Sequence, residues 1–230
     1  MWLDAAEVAA EVRALRPDYA ALLIVAEGLH PGPSDGASGA LLAGAEDRAR
    51  KHLDGGRPEE LPQVAEWREA FRAFGAKPQR TRPSVEALLR RVEAGLPRID
   101  RITDVYNAVS IACLLPVGGE DLDRYAGAAR LVRAAGDEDF DTTADGQPAV
   151  EHPDPGEVVW RDDRGVTCRR WNWRQCVRTR ITHSTTTAMF VLDGLAALGP
   201  GGLRAAEAEL TGSLASLSPG ATFTSRLLAP

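Results

Sequence analysis

No apolar run in this chain approaches the roughly 20 residues needed to cross a bilayer, so neither a membrane span nor a membrane partner is expected. The N-terminus, MWLDAAEVAAEVRAL, carries acids early and lacks a basic segment followed by an apolar one. No signal peptide is therefore expected, and the cytoplasm is the expected location. The three cysteines, Cys113, Cys168 and Cys176, are an odd number without metal-ligand spacing. They are expected as reduced, small, buried thiols. The four histidines do not cluster: His30 and His152 stand beside prolines, His52 falls on an expected helix, and His183 lies in the polar stretch ITHSTTT. No G-x-S-x-G, H-E-x-x-H, Walker loop or G-x-G-x-x-G occurs, so no motif argues for a serine hydrolase, metalloenzyme, nucleotidase or dinucleotide enzyme. No metal and no cofactor are expected. Repeats of solenoid length are also lacking.

Apolar residues make up 44% of the 230, enough for a substantial core. No linker divides the chain, so residues 1–230 are expected as a single domain. The apolar run at 19–29 reads as a buried strand. Helices are expected over 39–53 and 62–75. Another is expected from Ser84 as cap, with Val85, Leu88, Leu89 and Val92 on one face and Gly95 as its end. Ile102, Val105, Val109, Ala112 and Cys113 form the stripe of a further helix, stopped by Pro116 and a Gly118–Gly119 turn. The pattern then turns β-like. A strand is expected within GAARLVRAAGDE at 127–138, and 145–156 reads as a turn-rich connection. A hairpin with Asp163, Arg164 and Gly165 at its tip follows. Helices are expected again over 185–198 and 202–217. The order helices, sheet, helices indicates an α+β fold.

The formal net charge of −6 argues against wholesale nucleic-acid binding, DNA included. The charge is unevenly spread, however. Residues 134–163 carry ten acids and one base, whereas VTCRRWNWRQCVRTRITHST at 166–185 carries five arginines and no acid. Taken as one strand over 166–182, this ribbon puts Trp171 and Trp173 on one face and Arg170, Asn172, Arg174 and Arg178 on the other. Its arginines either pair with the acids before them or form a local anion site.

DRITDVYNAVSIACLLPVGGEDLDRYAG resembles the B3/B4 domain of the bacterial phenylalanyl-tRNA synthetase β subunit. The parallel residues run from Thr103 to Val109, then Pro116, and Asp121-Leu122-Asp123. Free-standing B3/B4 proteins are more similar still. Their W-R-x-x-F-x-x-F-G-x-K-P, R-P-S-x-E-x-L-L-R-R and R-W-N-W-R patterns match 67–78, 82–91 and 170–174. The resemblance covers about 62–198, with 1–61 as the N-terminal part of the same domain.

The resemblance implies a mostly antiparallel or mixed sheet packed with helices. It also implies an editing-type cleft that accepts the aminoacylated 3′ end of a tRNA and hydrolyses a wrongly attached amino acid. The chain is too short for a complete aminoacyl-tRNA ligase, so deacylation in trans is the expected activity. The alternative is a non-catalytic module that binds tRNA or an amino-acid-like molecule. The family's polar site segment corresponds to Tyr106 and Asn107, while its site histidine position falls on Gly118, a departure from the pattern.

Esters need only a positioned water and a stabilised oxyanion. Asn107 and Ser110, at i and i+3, are expected to share one cleft. Backbone amides of Gly118 and Gly119 are expected near the acyl oxygen. Tyr106, Asn172, Arg174 and His183 are expected to bind substrate, and Glu86 reads as a first-turn helix charge.

Overall fold

The run AALLIVAE has no polar face. In the computed structural model, which describes residues 2–229, it is a strand covered on both sides. In chain order, β1 (Glu7–Val8) and α1 (Ala10–Leu15) precede this strand, β2 (Ala20–Glu27). Four helices follow: α2 (Gly36–Leu53), α3 (Pro62–Ala73), α4 (Ser84–Leu89) and α5 (Arg101–Cys113). Then come β3 (Val117–Asp121), β4 (Arg130–Arg133), β5 (Phe140–Ala144) and β6 (Gln147–Glu151). The chain continues with β7 (Val158–Arg161), β8 (Val166–Arg169), β9 (Arg174–Gln175) and β10 (Thr187–Gly194). It ends with α6 (Gly202–Leu217) and β11 (Thr222–Leu228). The fold is α+β. No helix among the described residues is long and apolar enough to cross a membrane.

One sheet is antiparallel throughout, in the order β11-β2-β10-β3. The period of two sorts its side chains. Leu22, Ile24, Phe190 and Leu192 pack on Ile102, Val105 and Val109 of α5 and Leu210 of α6. Leu23, Met189 and Val191 face the other way and share a cluster with Leu131, Trp160 and Cys168. Those three belong to the second sheet, ordered β1-β4-β7-β8-β9, in which only the β1–β4 pair is parallel. β5 and β6 form a separate hairpin. Asp145 and Gly146 at its tip are both left-handed (φ 51° and 77°), as a tight two-residue turn requires.

Several sequence expectations need correction. Residues 185–198 are not a helix: Thr187–Gly194 is a central strand, paired with both β2 and β3. An apolar run this short has no distinguishing period, and its preceding threonines favour the strand. Gly118 and Gly119 are not a turn but the middle of β3, opposite Val191 and Phe190. α5 ends instead at Leu114, which adopts a left-handed conformation (φ 58°). Ser84 does not cap α4. The N-cap position is Pro83, and the Ser84 hydroxyl is buried without a partner. α4 stops at Leu89, and a separate 3-10 turn at Val92–Ala94 carries the buried Val92. The connection at 145–156 contains β6, and β11 gave no recognisable signal.

The ribbon at 166–182 is not one strand. Arg170 (φ 48°) and Trp171 (φ 67°) are both left-handed and reverse the chain, so β9 pairs back onto β8 with Arg174 opposite Arg169. Bulky residues adopt this conformation at a cost. Burial compensates here: the Trp171 ring, fully inaccessible, meets Tyr19 at 4.9 Å, Trp67 at 5.4 Å and Phe74 at 6.3 Å between centroids. Trp173 stays half-buried, between neither face of a strand.

Candidate functional site

Where the two sheets diverge they leave a cavity of about 240 Å³, just below the usual range of about 300–1,000 Å³ for ligand pockets. Its floor is the shared face of the four-stranded sheet: Gly118 and Glu120 of β3, and Val191 and Asp193 of β10. Tyr106 and Asn107 of α5 form one wall. Trp160, Cys168 and the reversed hairpin, Trp171 to Gln175, form the other. Ser84, Ala87, Leu88 and Arg91 stand at the mouth. Gly118 keeps the floor open, because a Cβ there would lie 3.3 Å from Gln175 Nε2. Gly119 faces the helices instead, where a Cβ would come within 2.7 Å of Ile181 Cδ1.

Two carboxyls occupy this floor without a cation to neutralise them directly. Burial pushes Asp193 up to about 7, although Tyr19 Oη (2.6 Å) and Asn172 Nδ2 (3.3 Å) donate to it. Burial likewise raises Glu120 to about 7, partly opposed by the hydroxyls of Thr179 and Thr167. Removal from water disfavours the charged form of a carboxyl, and both therefore titrate near neutrality. Four buried polar atoms of the wall and floor have no hydrogen-bond partner: Glu120 Oε2, Asn172 Oδ1, Trp160 Nε1 and Trp171 Nε1. Unpaired groups of this kind are costly and mark a place where a ligand can supply the missing bonds. Burial also holds the Tyr106 hydroxyl up at about 12, so it stays a neutral donor.

The expected site residues separate into two groups. Tyr106, Asn107, Gly118, Asn172 and Arg174 line the cavity together. The Asn107 amide is largely buried and makes no hydrogen bond among the described residues. Ser110, Gly119 and His183 lie elsewhere. Ser110 faces away, its Oγ donating to Leu115 O at 2.7 Å at the end of α5. His183 is exposed on the loop before β10, in a shallow depression with Ile99 and Arg180. No histidine lines the cavity, and its titrating groups are the carboxyls Glu120 and Asp193. Sequence reading missed both. The available signal was an acid ending each of two apolar stretches, PVGGED and MFVLDG, but it became legible only once 187–194 was known to be a strand.

The arginines of the ribbon mostly pair with the acids that precede them. Arg169, 6% exposed, forks onto Glu157 at 2.9 and 2.8 Å and reaches Glu151. Arg178 holds Asp162 at 2.8 and 2.9 Å. Arg174 bonds Glu151 while lying over the rings of Phe140 (5.0 Å) and Trp173 (4.8 Å). Glu86 is no simple first-turn charge: fully buried, it gathers Arg68 (2.8 Å), Arg90 (3.0 Å) and Arg82 (3.5 Å). Among the described residues no group of three or more His, Cys, Asp or Glu is arranged to hold a metal.

The three sequence signatures converge here. Trp67 and Phe74 back the hairpin, the 82–91 segment forms the mouth, and 170–174 forms a wall. Comparison with known proteins agrees in part. No curated protein matches the sequence significantly. A solved structure, an N-terminal fragment of the phenylalanyl-tRNA synthetase β-subunit from Pyrococcus horikoshii, is similar at 11% identity with a TM-score of 0.46. The match covers 95% of this chain and 49% of that one, so the chain spans about half its length. The B3/4 domain family matches residues 66–198, more than half of the sequence and the stretch that carries the cavity's hairpin, floor and mouth. The chain belongs to the B3/4 domain family.

Proposed function

We propose that the protein hydrolyses the ester joining an amino acid to the 3′ end of a tRNA, acting in trans as an aminoacyl-tRNA deacylase. Family membership and the resemblance at 62–198 suggest the substrate class. The observation that carries the chemistry is Glu120, a buried carboxyl raised to about 7 on the floor of an amino-acid-sized cavity with one oxygen unpartnered. Near neutral pH, part of its population is ionised and can take a proton from water. The water oxygen then bonds the ester carbon, and the carbonyl oxygen becomes an oxyanion. The Asn107 amide, which lines the cavity and has no partner among the described residues, is the donor to that oxyanion. When the tetrahedral species collapses, the ester C–O bond breaks, and protonated Glu120 returns the proton to the departing ribose oxygen. Asn172, held through Nδ2 by Asp193, offers its free Oδ1 to the α-ammonium of the bound amino acid. Such general-base assistance contributes typically 10²–10⁴-fold.

The test is release of amino acid from a panel of mischarged tRNAs. Release from at least one above the uncatalysed rate, falling about 10²-fold or more in Glu120→Gln, is expected. No release from any of them would sink the enzymatic reading and leave a binding module.

A further inference from the structure

The cavity mouth continues into two further depressions. The first is lined by Arg80, Arg82, Arg90, Arg91, Trp173 and Arg174, and shares Arg91, Trp173 and Arg174 with the cavity. The second includes Lys77, Arg80 and Arg170, and shares Arg80 with the first. The three therefore form one continuous path. The cations along it differ from those of the hairpin. Lys77, Arg80 and Arg91 are exposed, and none makes an ion pair among the described residues. The acids bordering the far end, Asp154 and Glu157, are engaged by Arg170 at 3.5 and 3.4 Å, with Glu157 also held by Arg169.

The path is also pre-shaped. The loop after α3 is pinned by buried Pro78, Thr81 and Pro83. The amides of Arg80 (2.8 Å) and Thr81 (3.0 Å) both donate to Lys77 O. Lys77, Arg80 and Arg82 thus project from a fixed turn. Buried Glu86 holds Arg82 and Arg90, and Glu59 accepts from Arg90 at 2.5 Å. The backbone that carries these cations needs no ordering when an anion arrives, and only their side chains have to be immobilised. In a protein of net charge −6, an extended polyanion is repelled by most of the surface and admitted along this path.

We propose that this path binds the phosphodiester backbone of the last few unpaired nucleotides of an RNA strand, with Arg91, Arg80 and Lys77 meeting successive phosphates outward from the cavity. The proposal rests on the reading that the cavity takes an aminoacylated 3′ end, and its test separates the two. The probe is a fluorescent, non-acylated single-stranded RNA ending in CCA, titrated by anisotropy at several salt concentrations. The triple variant Lys77→Gln, Arg80→Gln, Arg91→Gln should bind at least ten-fold more weakly, and its log-affinity against log-salt slope should be smaller by about 2, at roughly 0.7 per phosphate contact. Arg164→Gln, an exposed arginine at the β7–β8 tip, should bind as the parent does. A blunt duplex of equal length should compete at least ten-fold more weakly than the strand.

Failure of the parent to bind the strand would overturn the proposal. So would unchanged binding by the triple variant, an equal loss in Arg164→Gln, or equal binding of the duplex. A protein that binds the strand through these residues but releases no amino acid keeps this proposal and loses the deacylase. A protein that deacylates with the triple variant unimpaired does the reverse.

Discussion

Two arginine-rich segments sit on either side of the cavity mouth and behave oppositely. The β8–β9 hairpin is conspicuous in sequence, with five arginines and no acid over 166–185. Yet Arg169, Arg170, Arg174 and Arg178 are all tied to acids of the preceding segment. The 77–91 segment is less conspicuous, but Lys77, Arg80 and Arg91 remain unpaired among the described residues. Local acids decide the difference. A run of cations beside a run of acids folds as its own counterion, whereas cations scattered between prolines on a pinned turn stay available.

This contrast can be broken most forcefully in the hairpin. Glu157→Ala removes the partner of a guanidinium that is only 6% exposed. Arg169 keeps its contact to the half-exposed Glu151, so the loss should lie near the lower end of the about 3–5 kcal/mol of an unpaired buried charge, measured as a lowered urea midpoint.

Glu120 comes next, through its pH dependence. Its folded value of about 7 lies above the unfolded carboxyl, so the folded state holds the proton more tightly. The associated stability is fully present below about pH 4.5 and is lost as pH rises through about 7. Glu120→Gln cannot ionise. Its stability relative to the parent should therefore rise between pH 5 and pH 8 by on the order of 3 kcal/mol, read from urea titrations at both pH values. A difference independent of pH would contradict the buried, titrating carboxyl.

The mildest effect belongs to the other segment. Arg91→Gln should shift stability by less than about 0.5 kcal/mol, within the scatter of thermal melts. A large loss would show that Arg91, like Arg169, is part of the frame.

Much of the fold was legible because its signals are local. The run that became β2, the stripe of α5 and the glycine at the β7–β8 tip each follow from spacing or turn chemistry. The site was legible only in part. Tyr106, Asn107, Gly118, Asn172 and Arg174 were singled out, and they share the cavity. Glu120 and Asp193 were not, because an acid within an apolar stretch acquires meaning only from the strand register. A helix over 185–198 gives Asp193 no sheet face to point from. Ser110 was misplaced because spacing on a helix identifies a side but not what lies opposite. The hairpin reversal at Arg170 and Trp171 was invisible for a different reason: left-handed tryptophan is stabilised by Tyr19 and Trp67, residues more than 100 positions away.

The most direct test is the pH–rate profile of single-turnover hydrolysis of an accepted aminoacyl-tRNA, with the uncatalysed rate subtracted. A rate that rises with an apparent pKa near 7, and a step that disappears in Glu120→Gln, is the predicted result. A profile of the same shape in the variant would contradict the assignment of Glu120 as the base.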